Sequence, residues 1–296
     1  MSNKAKFAGS MPALVTPFTD GKVDFACIAE LVDWQIESGS GGLVPCGTTG
    51  ESPTLSIEEH HDVVRCVVEA AAGRVPIIAG AGSNDTLTAC MHAREAEEAG
   101  ADALLVIAPY YNKPNQEGIY WHFRSVAEVS SLPIFLYNVP GRTVANLEPD
   151  TVRRLSKVPN VIGIKDASNN VARVTEARLD CGDEFCILSG ADELTLGIMV
   201  AGGCGAISVT ANVAPKLCAD FMKHCQAGEW TEARALNDRL HRLHIAMFAD
   251  PSPAPAKYAM QKLGRLSSAE VRLPIVPCSP EAAASVDKAL AETGLL

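Results

Sequence analysis

The stretch "NVIGIKDAS", residues 160–168, decides the fold predicted for this chain. Val161, Ile162 and Ile164 form an apolar run without the alternation of a half-exposed strand, as is typical of a parallel strand covered on both faces. Lys165 ends this run. Burying an ammonium group is costly unless its charge is paired or neutralised, so a lysine here requires a chemical explanation.

Seven other short runs have the same character, and amphipathic helical patterns such as residues 24–39, 56–72 and 84–100 lie between the runs. The runs are "ALVTP" (13–17), "GLVPC" (42–46), "VPIIAG" (75–80), "ALLVIA" (103–108), "PIFLYN" (133–138), "FCILSG" (185–190) and "GAISV" (205–209). Strands that alternate with helices pair in parallel through right-handed crossovers. Eight such units predict an α/β fold of the closed (β/α)8, or TIM barrel, type, with an open doubly wound sheet as the alternative.

Only helical patterns follow residue 210, and no repeat or low-complexity linker marks a second core. The patterns cover residues 215–227, 229–248, 253–264 and 280–294. We therefore expect a catalytic barrel in residues 1–225 and a C-terminal helical extension in residues 226–296.

The composition excludes several classes of protein. The chain has 296 residues, with 25 Lys and Arg against 35 Asp and Glu, so its formal net charge is −10. An acidic chain without a basic run is a poor nucleic-acid binder, because such binding depends on neutralising phosphates. The ten cysteines form no CxxC pair, and the N-terminus lacks the apolar segment of a secretory signal, so we expect reduced thiols and a cytoplasmic location.

One uncharged segment, residues 194–215, is long enough to span a bilayer. It contains Gly202, Gly203 and Gly205, followed by Ser208 and Thr210. A buried helix, a turn and a strand explain this pattern better than a membrane span. No association with a membrane is expected.

Polar residues follow the predicted strands, and in such barrels the active site lies at the C-terminal ends of the strands. The strand exits read "CGTTGES" (46–52), "PYYN" (109–112), "YNVPGRT" (137–143), Lys165, and "SG" (189–190). We expect these segments to meet at one mouth of the barrel.

A lysine in an apolar pocket at this mouth has a chemical use. A desolvated amine is a nucleophile that condenses with a ketone to form a Schiff base. The protonated imine draws electrons, so the neighbouring carbon loses a proton and becomes an enamine that attacks aldehydes. The alternative is that Lys165 is structural and forms an ion pair with Asp166.

The other strand exits supply suitable partners for this chemistry. Tyr137 is a candidate for proton transfer. Thr48 and Thr49 lie in a glycine-flanked turn that suits a carboxylate, and Arg142 can bind a carboxylate through two hydrogen bonds. Each has an ordinary alternative: a strand-end tyrosine, hydrogen bonding within a turn, and a solvated arginine.

Histidine pairs are the only pattern that suggests a metal. His60 and His61 are adjacent, and His241 and His244 are three residues apart. No acidic or cysteine partner has matching spacing, so surface histidines are the favoured interpretation. We expect neither a metal nor a cofactor.

The motifs "GTTGES", "PYYN", "YNVPGRT", "IGIKDAS", "LSG" and "GAISVTANV", in this order, resemble those of the dihydrodipicolinate synthase family over essentially the whole chain. The resemblance implies a carbon–oxygen lyase that condenses pyruvate with L-aspartate 4-semialdehyde in the diaminopimelate route to lysine. It also implies a homotetramer, a dimer of dimers, as the assembled form.

The resemblance assigns roles by position. Lys165 would form the imine, and Tyr137, Thr48 and Tyr111 would relay protons, with Tyr111 reaching the neighbouring subunit's site. Substrate contacts are implied for four residues: Thr49, Arg142, Gly190 and Ile207.

Two alternatives to the synthase remain. Sibling aldolases, such as N-acetylneuraminate lyase and keto-deoxy sugar acid aldolases, share the lysine and the "YN" tyrosine, whereas Arg142 in "PGRT" favours the synthase. A non-catalytic ligand sensor would be expected to lose Lys165, Tyr137 or Arg142, and all three are present.

The resemblance also implies an effector site for lysine. Ser52, His60, Asn84 and Tyr110 match that site. Sensitive members have a histidine where this chain has Ile57 and a glutamate where it has Thr88. Without that carboxylate the effector's ammonium group lacks a partner, so we predict weak or absent inhibition by lysine.

Overall fold

The computed structural model describes residues 2–296, and its parallel strands close into a barrel. In chain order the strands are β1 (Gly9–Pro12), β2 (Phe18–Thr19), β3 (Lys22–Val23), β4 (Ile78–Gly80), β5 (Ala103–Ile107), β6 (Ile134–Asn138), β7 (Val161–Asp166), β8 (Cys186–Ser189) and β9 (Gly205–Ser208). Except for the β2–β3 hairpin, they form one sheet in the order β1-β9-β8-β7-β6-β5-β4. Parallel bridges from Ala13 to Val44 and from Leu43 to Ile77 join its two edges through an eighth segment. The predicted (β/α)8 barrel is confirmed.

Helices cover the outside of the barrel and make up the C-terminal part of the chain. They are α1 (Asn3–Lys6), α2 (Phe25–Glu37), α3 (Ile57–Ala71), α4 (Thr86–Glu98), α5 (Gln116–Val129), α6 (Pro140–Thr143), α7 (Pro149–Leu155), α8 (Ala172–Cys181), α9 (Thr195–Val200), α10 (Pro215–Ala227), α11 (Trp230–Ala246), α12 (Ala254–Lys262) and α13 (Pro280–Thr293). Short 3₁₀ turns lie at Ser52–Thr54, Asp192–Leu194 and Thr210–Asn212. The four helical patterns predicted after residue 210 are confirmed within three residues at each end.

Two predicted strands differ from the observed ones. The first strand lies at Gly9–Pro12 rather than 13–17, because the Asn212 side chain takes the place of a neighbouring strand there. It accepts from the Val15 amide at 3.1 Å and donates to the Ala13 carbonyl at 2.8 Å. The predicted strand 42–46 makes only isolated bridges, since Pro45 has no amide to donate and Cys46 has φ +54°.

The register between β6 and β7 brings Tyr137 beside Lys165. Ile134 pairs with Val161, but Phe135 pairs with Gly163, so β7 contains one extra residue at this point. Such a bulge shifts which side chains face the barrel interior. Beyond it, Tyr137 lies directly opposite Lys165.

The C-terminal helices pack against the barrel. Leu240 and Leu243 of α11 and Val286 and Leu290 of α13 share one buried apolar cluster with Ala206 of β9. Residues 194–215 include α9 and β9, as predicted for a buried helix, turn and strand. Within residues 2–296, none of the helices has the length and apolar character that a membrane span requires.

Candidate active site

Lys165 is buried at the carboxyl end of β7, with 5% of its surface exposed. Its Nζ lies 4.1 Å from the centroid of the Tyr137 ring. Tyr137 is also buried and belongs to the apolar cluster inside the barrel. The register of two neighbouring strands therefore fixes the amine beside the phenol.

Asp166 does not pair with Lys165. Its Oδ2 accepts a hydrogen bond from Arg173 Nε at 2.9 Å, and its Oδ1 accepts one from the Ser168 amide at 2.8 Å. Successive side chains of a strand point to opposite faces, so Asp166 faces the helices while Lys165 faces the barrel interior. Within residues 2–296, no carboxylate lies within 4.0 Å of the Lys165 amine. The ion pair between Lys165 and Asp166 that the alternative required is therefore absent from the structure.

Gly190 and Ile207 lie near the lysine. A Cβ built on Gly190 would be 3.1 Å from Lys165 Cε and 2.9 Å from Ala167 Cβ, so only glycine leaves room for the lysine side chain. Ile207 is buried in β9 and belongs to the same interior cluster as Tyr137. Both residues are positioned to shape the floor of the site.

The threonine turn, residues 46–51, has strained backbone at both ends. Cys46 has φ +54° and Glu51 has φ +55°, in the left-handed region that side chains disfavour. The Gly50 and Glu51 amides donate to the carbonyls of Gly47 and Thr48 at 3.1 Å. The turn therefore needs support from outside itself.

That support is a buried ion pair that sequence reasoning missed. Lys257 of α12 is fully buried, and its Nζ lies 2.6 Å from Glu51 Oε1 and 2.7 Å from the Glu270 carbonyl. The second oxygen of Glu51 accepts from the Arg272 amide at 2.9 Å. Burial lowers the pKa of Lys257, and the charge of Glu51 opposes that shift. The C-terminal helices therefore hold the threonine turn in place.

Arg272 extends this support to α3. Its guanidinium binds both carboxylate oxygens of Glu59 at 2.6 Å and the Thr54 carbonyl at 2.9 Å. Hydrogen bonding to Arg272 lowers the pKa of the Glu59 carboxyl. No sequence pattern marks these contacts, since more than two hundred residues separate the partners.

A cavity of about 210 Å³ opens between these elements at the C-terminal end of the barrel. Five residues predicted for the catalytic or the effector site line it: Thr48, Ser52, Tyr110, Tyr137 and Arg142. Lys165 and Thr49 do not line the cavity. The Lys165 amine packs against the ring of Tyr137, which does line it. Arg142 lies on the short helix α6 with an exposed guanidinium. The cavity thus offers hydroxyl groups, two phenols and, among residues 2–296, a guanidinium without an ion pair.

Tyr111 lies apart from this cavity. It has φ +72° and 87% of its surface is exposed, whereas its neighbour Tyr110 lines the cavity. Strained backbone that presents an aromatic ring to solvent requires a reason outside the single chain.

A second cavity of about 160 Å³ shares a wall with the first. Among the predicted effector residues, Ser52, His60 and Tyr110 line it, while Asn84 does not. The Asn84 carbonyl instead accepts from Asn112 Nδ2 at 2.8 Å.

Ile57 and Thr88 also line this second cavity. The carboxylate of Asp85, three residues before Thr88, accepts hydrogen bonds from the Thr88 amide at 2.8 Å and from the Thr88 hydroxyl at 2.7 Å. The cavity wall therefore provides hydroxyl, methyl and imidazole groups.

The expectation of surface histidines needs correction at two positions. His60 and His244 are buried rather than on the surface. Cys46, which lines the first cavity, is buried with its thiol 3.5 Å from the His60 carbonyl, and burial raises its pKa strongly. A thiol in this state is a poor nucleophile.

The sequence signature described as "Dihydrodipicolinate synthetase family" matches residues 6–293. The chain belongs to this family. It is 58% identical over 290 residues to the 4-hydroxy-tetrahydrodipicolinate synthase of Sphingopyxis alaskensis, covering 98% of this chain and all of that one. It is 56% identical over 292 residues to the enzyme of the same name from Novosphingobium aromaticivorans, covering 98% and 99%.

Solved structures of family members have the same fold as this chain. The dihydrodipicolinate synthase of Acinetobacter baumannii, described as chloride-inhibited and complexed with pyruvate, superposes with a TM-score of 0.95 at 41% identity, covering 98% of this chain and 99% of that one. The family, the lyase activity and the barrel predicted from the sequence are confirmed.

Proposed function

We propose that this member of the family condenses pyruvate with L-aspartate 4-semialdehyde through an imine on Lys165. The observation that carries the proposal is the state of that side chain: buried, without a carboxylate partner, and 4.1 Å from the Tyr137 ring beside the cavity. An ion pair would tie the amine to a carboxylate. Without such a pair, the Lys165 amine is free to add to the carbonyl of a keto acid.

The chemistry follows from that amine. Lys165 adds to the C2 carbonyl of pyruvate, and loss of water gives a protonated imine. Removal of a proton from C3 gives an enamine, whose carbon forms a bond to the aldehyde carbon of the second substrate, while the aldehyde oxygen takes up a proton. The amino group of that substrate then attacks the imine carbon, which closes the ring and releases Lys165.

The surrounding groups suit these steps. Tyr137 is beside the amine and serves as the acid and base for water loss, with Thr48 and Tyr111 completing the proton relay. Thr49 and the turn amides hold the pyruvate carboxylate, and Gly190 and Ile207 shape its pocket. Arg142, free of an ion pair within residues 2–296, receives the carboxylate of the semialdehyde.

Borohydride trapping tests the assignment. The wild-type chain incubated with pyruvate and then borohydride is expected to gain one reduced pyruvyl group on the peptide that contains Lys165. Lys165→Ala should gain none and should lose turnover. Lys113→Ala, which removes an exposed lysine from the same face, is the matched control and should behave as wild type. An adduct on another lysine, or turnover by Lys165→Ala, would overturn the proposal.

We infer that the chain acts as a homotetramer built from dimers. What supports this is Tyr111, an exposed ring on strained backbone next to a residue of the cavity wall. Val144, with φ +63° and 65% of its surface exposed, repeats the pattern on the neighbouring strand exit. Sedimentation of the full chain at micromolar concentration is expected to give a tetramer, and a monomer with full activity would contradict the inference.

A further inference from the structure

Three histidines gather on helices α3 and α4, behind the second cavity. His60 and His61 are consecutive in α3, and His92 lies in α4. His61 Nε2 is 3.2 Å from His92 Nδ1, and the rings of His60 and His92 stack with centroids 4.0 Å apart. One ring nitrogen of each residue lies within 4.8 Å of the other two.

His60 carries a nitrogen that the protein leaves unsatisfied. The residue is 4% exposed, and within residues 2–296 its Nδ1 has no hydrogen-bond partner. A buried polar atom without a partner is costly. A hydrogen bond between His61 and His92 accounts for their approach to each other, but it leaves the His60 nitrogen unexplained.

A carboxylate stands behind the cluster. Glu95 Oε2 lies 3.6 Å from His61 Nδ1, one turn of α4 beyond His92. Histidines that bind metals commonly donate their second N–H to a carboxylate, which turns the other nitrogen toward the ion. Glu95 Oε2 lies just beyond hydrogen-bond distance of His61 Nδ1, and the other ring nitrogen, Nε2, is the one that approaches His92.

We propose that His60, His61 and His92 bind one divalent transition-metal ion of the zinc class. Two nitrogens about 2.0–2.1 Å from a tetrahedral zinc ion are about 3.3 Å apart, close to the separation observed between His61 and His92. Rotation of the His60 ring supplies the third ligand. The second cavity, which His60 and His92 both line, leaves the fourth position open to water. Three imidazoles without thiolates favour zinc, nickel or copper over calcium or magnesium.

The test is a metal titration of the full-length chain. Protein freed of metal with a chelator is titrated with Zn²⁺ in competition with a chromophoric chelator, and one tightly held ion per chain is expected. His61→Gln and His92→Gln should each weaken binding by at least about tenfold. His241→Gln, an exposed histidine on α11, is the matched control and should change nothing. The His61 side chain is partly exposed, so His61→Gln decides the matter if His92→Gln does not fold.

Cobalt distinguishes this site from the ten cysteines. Co²⁺ bound by three imidazoles should give a visible d–d spectrum without a thiolate charge-transfer band, and the spectrum should vanish in the His61→Gln/His92→Gln variant. The proposal is overturned by a thiolate band, by the lack of stoichiometric binding, or by binding that survives the double substitution.

Discussion

Lys165 and Asp166 are adjacent in β7, yet their side chains face opposite sides of the strand and have separate partners. The Lys165 amine lies 4.1 Å from the Tyr137 ring, whereas Asp166 is bound by Arg173 at 2.9 Å. A single step along the strand thus separates the Lys165 amine from the carboxylate that would otherwise form an ion pair with it.

Tyr137→Phe is expected to lower kcat by about 10²- to 10⁴-fold, because the ring still packs against Lys165 but no longer transfers a proton. Steady-state assays with pyruvate and the semialdehyde measure this loss, and borohydride trapping should show a slower rise of the Lys165 adduct. An unchanged kcat would remove Tyr137 from the relay.

Lys257→Met should destabilise the chain by about 3–5 kcal/mol, because it leaves the buried carboxylate of Glu51 without its cation. Urea unfolding at pH 7 measures the change. Adding Glu51→Gln to Lys257→Met should recover part of the lost stability, since the orphan charge is gone. Strictly additive effects of the two substitutions would mean that the pair does not interact.

The buried residue His122 makes stability depend on pH. Its Nδ1 lies 3.0 Å from the Thr86 hydroxyl, and burial lowers its pKa to about 4, with Asp85 opposing the shift. In the unfolded state His122 has an ordinary histidine pKa near 6.5. Between about pH 6.5 and 4, His122 therefore binds a proton in the unfolded state but not in the folded state. Stability from this group is therefore full above pH 6.5 and is lost as the pH falls toward 4.

His122→Asn, which keeps a polar atom near the Nδ1 position, should reduce that loss. The free energy of unfolding of the wild type falls between pH 7 and pH 5, and in the variant this fall should be smaller by about 2 kcal/mol. Urea unfolding at the two pH values and equal protein concentration makes the comparison. Identical pH dependence in both proteins would show that folding does not lower the pKa of His122.

Thr88→Glu should create or strengthen inhibition by L-lysine. The wild-type cavity offers no free carboxylate at this position, since Asp85 caps α4 and binds Thr88. We expect weak or absent inhibition of the wild type and a clear fall in the inhibitory concentration for the variant. Thr88→Gln, which has the same length without the charge, is the control. Tight inhibition of the wild type would contradict the prediction.

Tyr111 is predicted to act in the partner subunit's site. Chains with Tyr111→Phe and chains with Lys165→Ala should each be nearly inactive alone. Co-expression should restore roughly one quarter of the wild-type activity, because half of random dimers are mixed and each holds one complete site. No recovery in verified mixed dimers would assign Tyr111 to its own chain.

The sequence was informative where local pattern controls structure. The apolar runs around Val161 and Ile134 identified β7 and β6, and the position of Lys165 at the end of its run correctly placed it at the carboxyl end of β7. The roles given to the site residues stay predictions, as does the division of the chain after residue 225.

Contacts between distant segments could not be predicted from the sequence. Glu51 and Lys257 are 206 residues apart, and their pairing depends on how α12 returns to the barrel mouth. His92 joins His60 and His61 only because of the rotation of α4 against α3, which periodicity does not define to within one residue. An error of one residue in the predicted position of a helix would turn a side chain such as His92 to another face.

The salt link from α12 to the turn below the substrate cavity has a practical meaning for protein engineering. A chain without α12 would leave the buried carboxylate of Glu51 without its cation, next to Thr48 and Thr49. The C-terminal helices therefore cannot be removed without destabilising this turn. Chimaeras between relatives should exchange residues 46–51 and the segment around Lys257 and Arg272 together, since each half is built to fit the other.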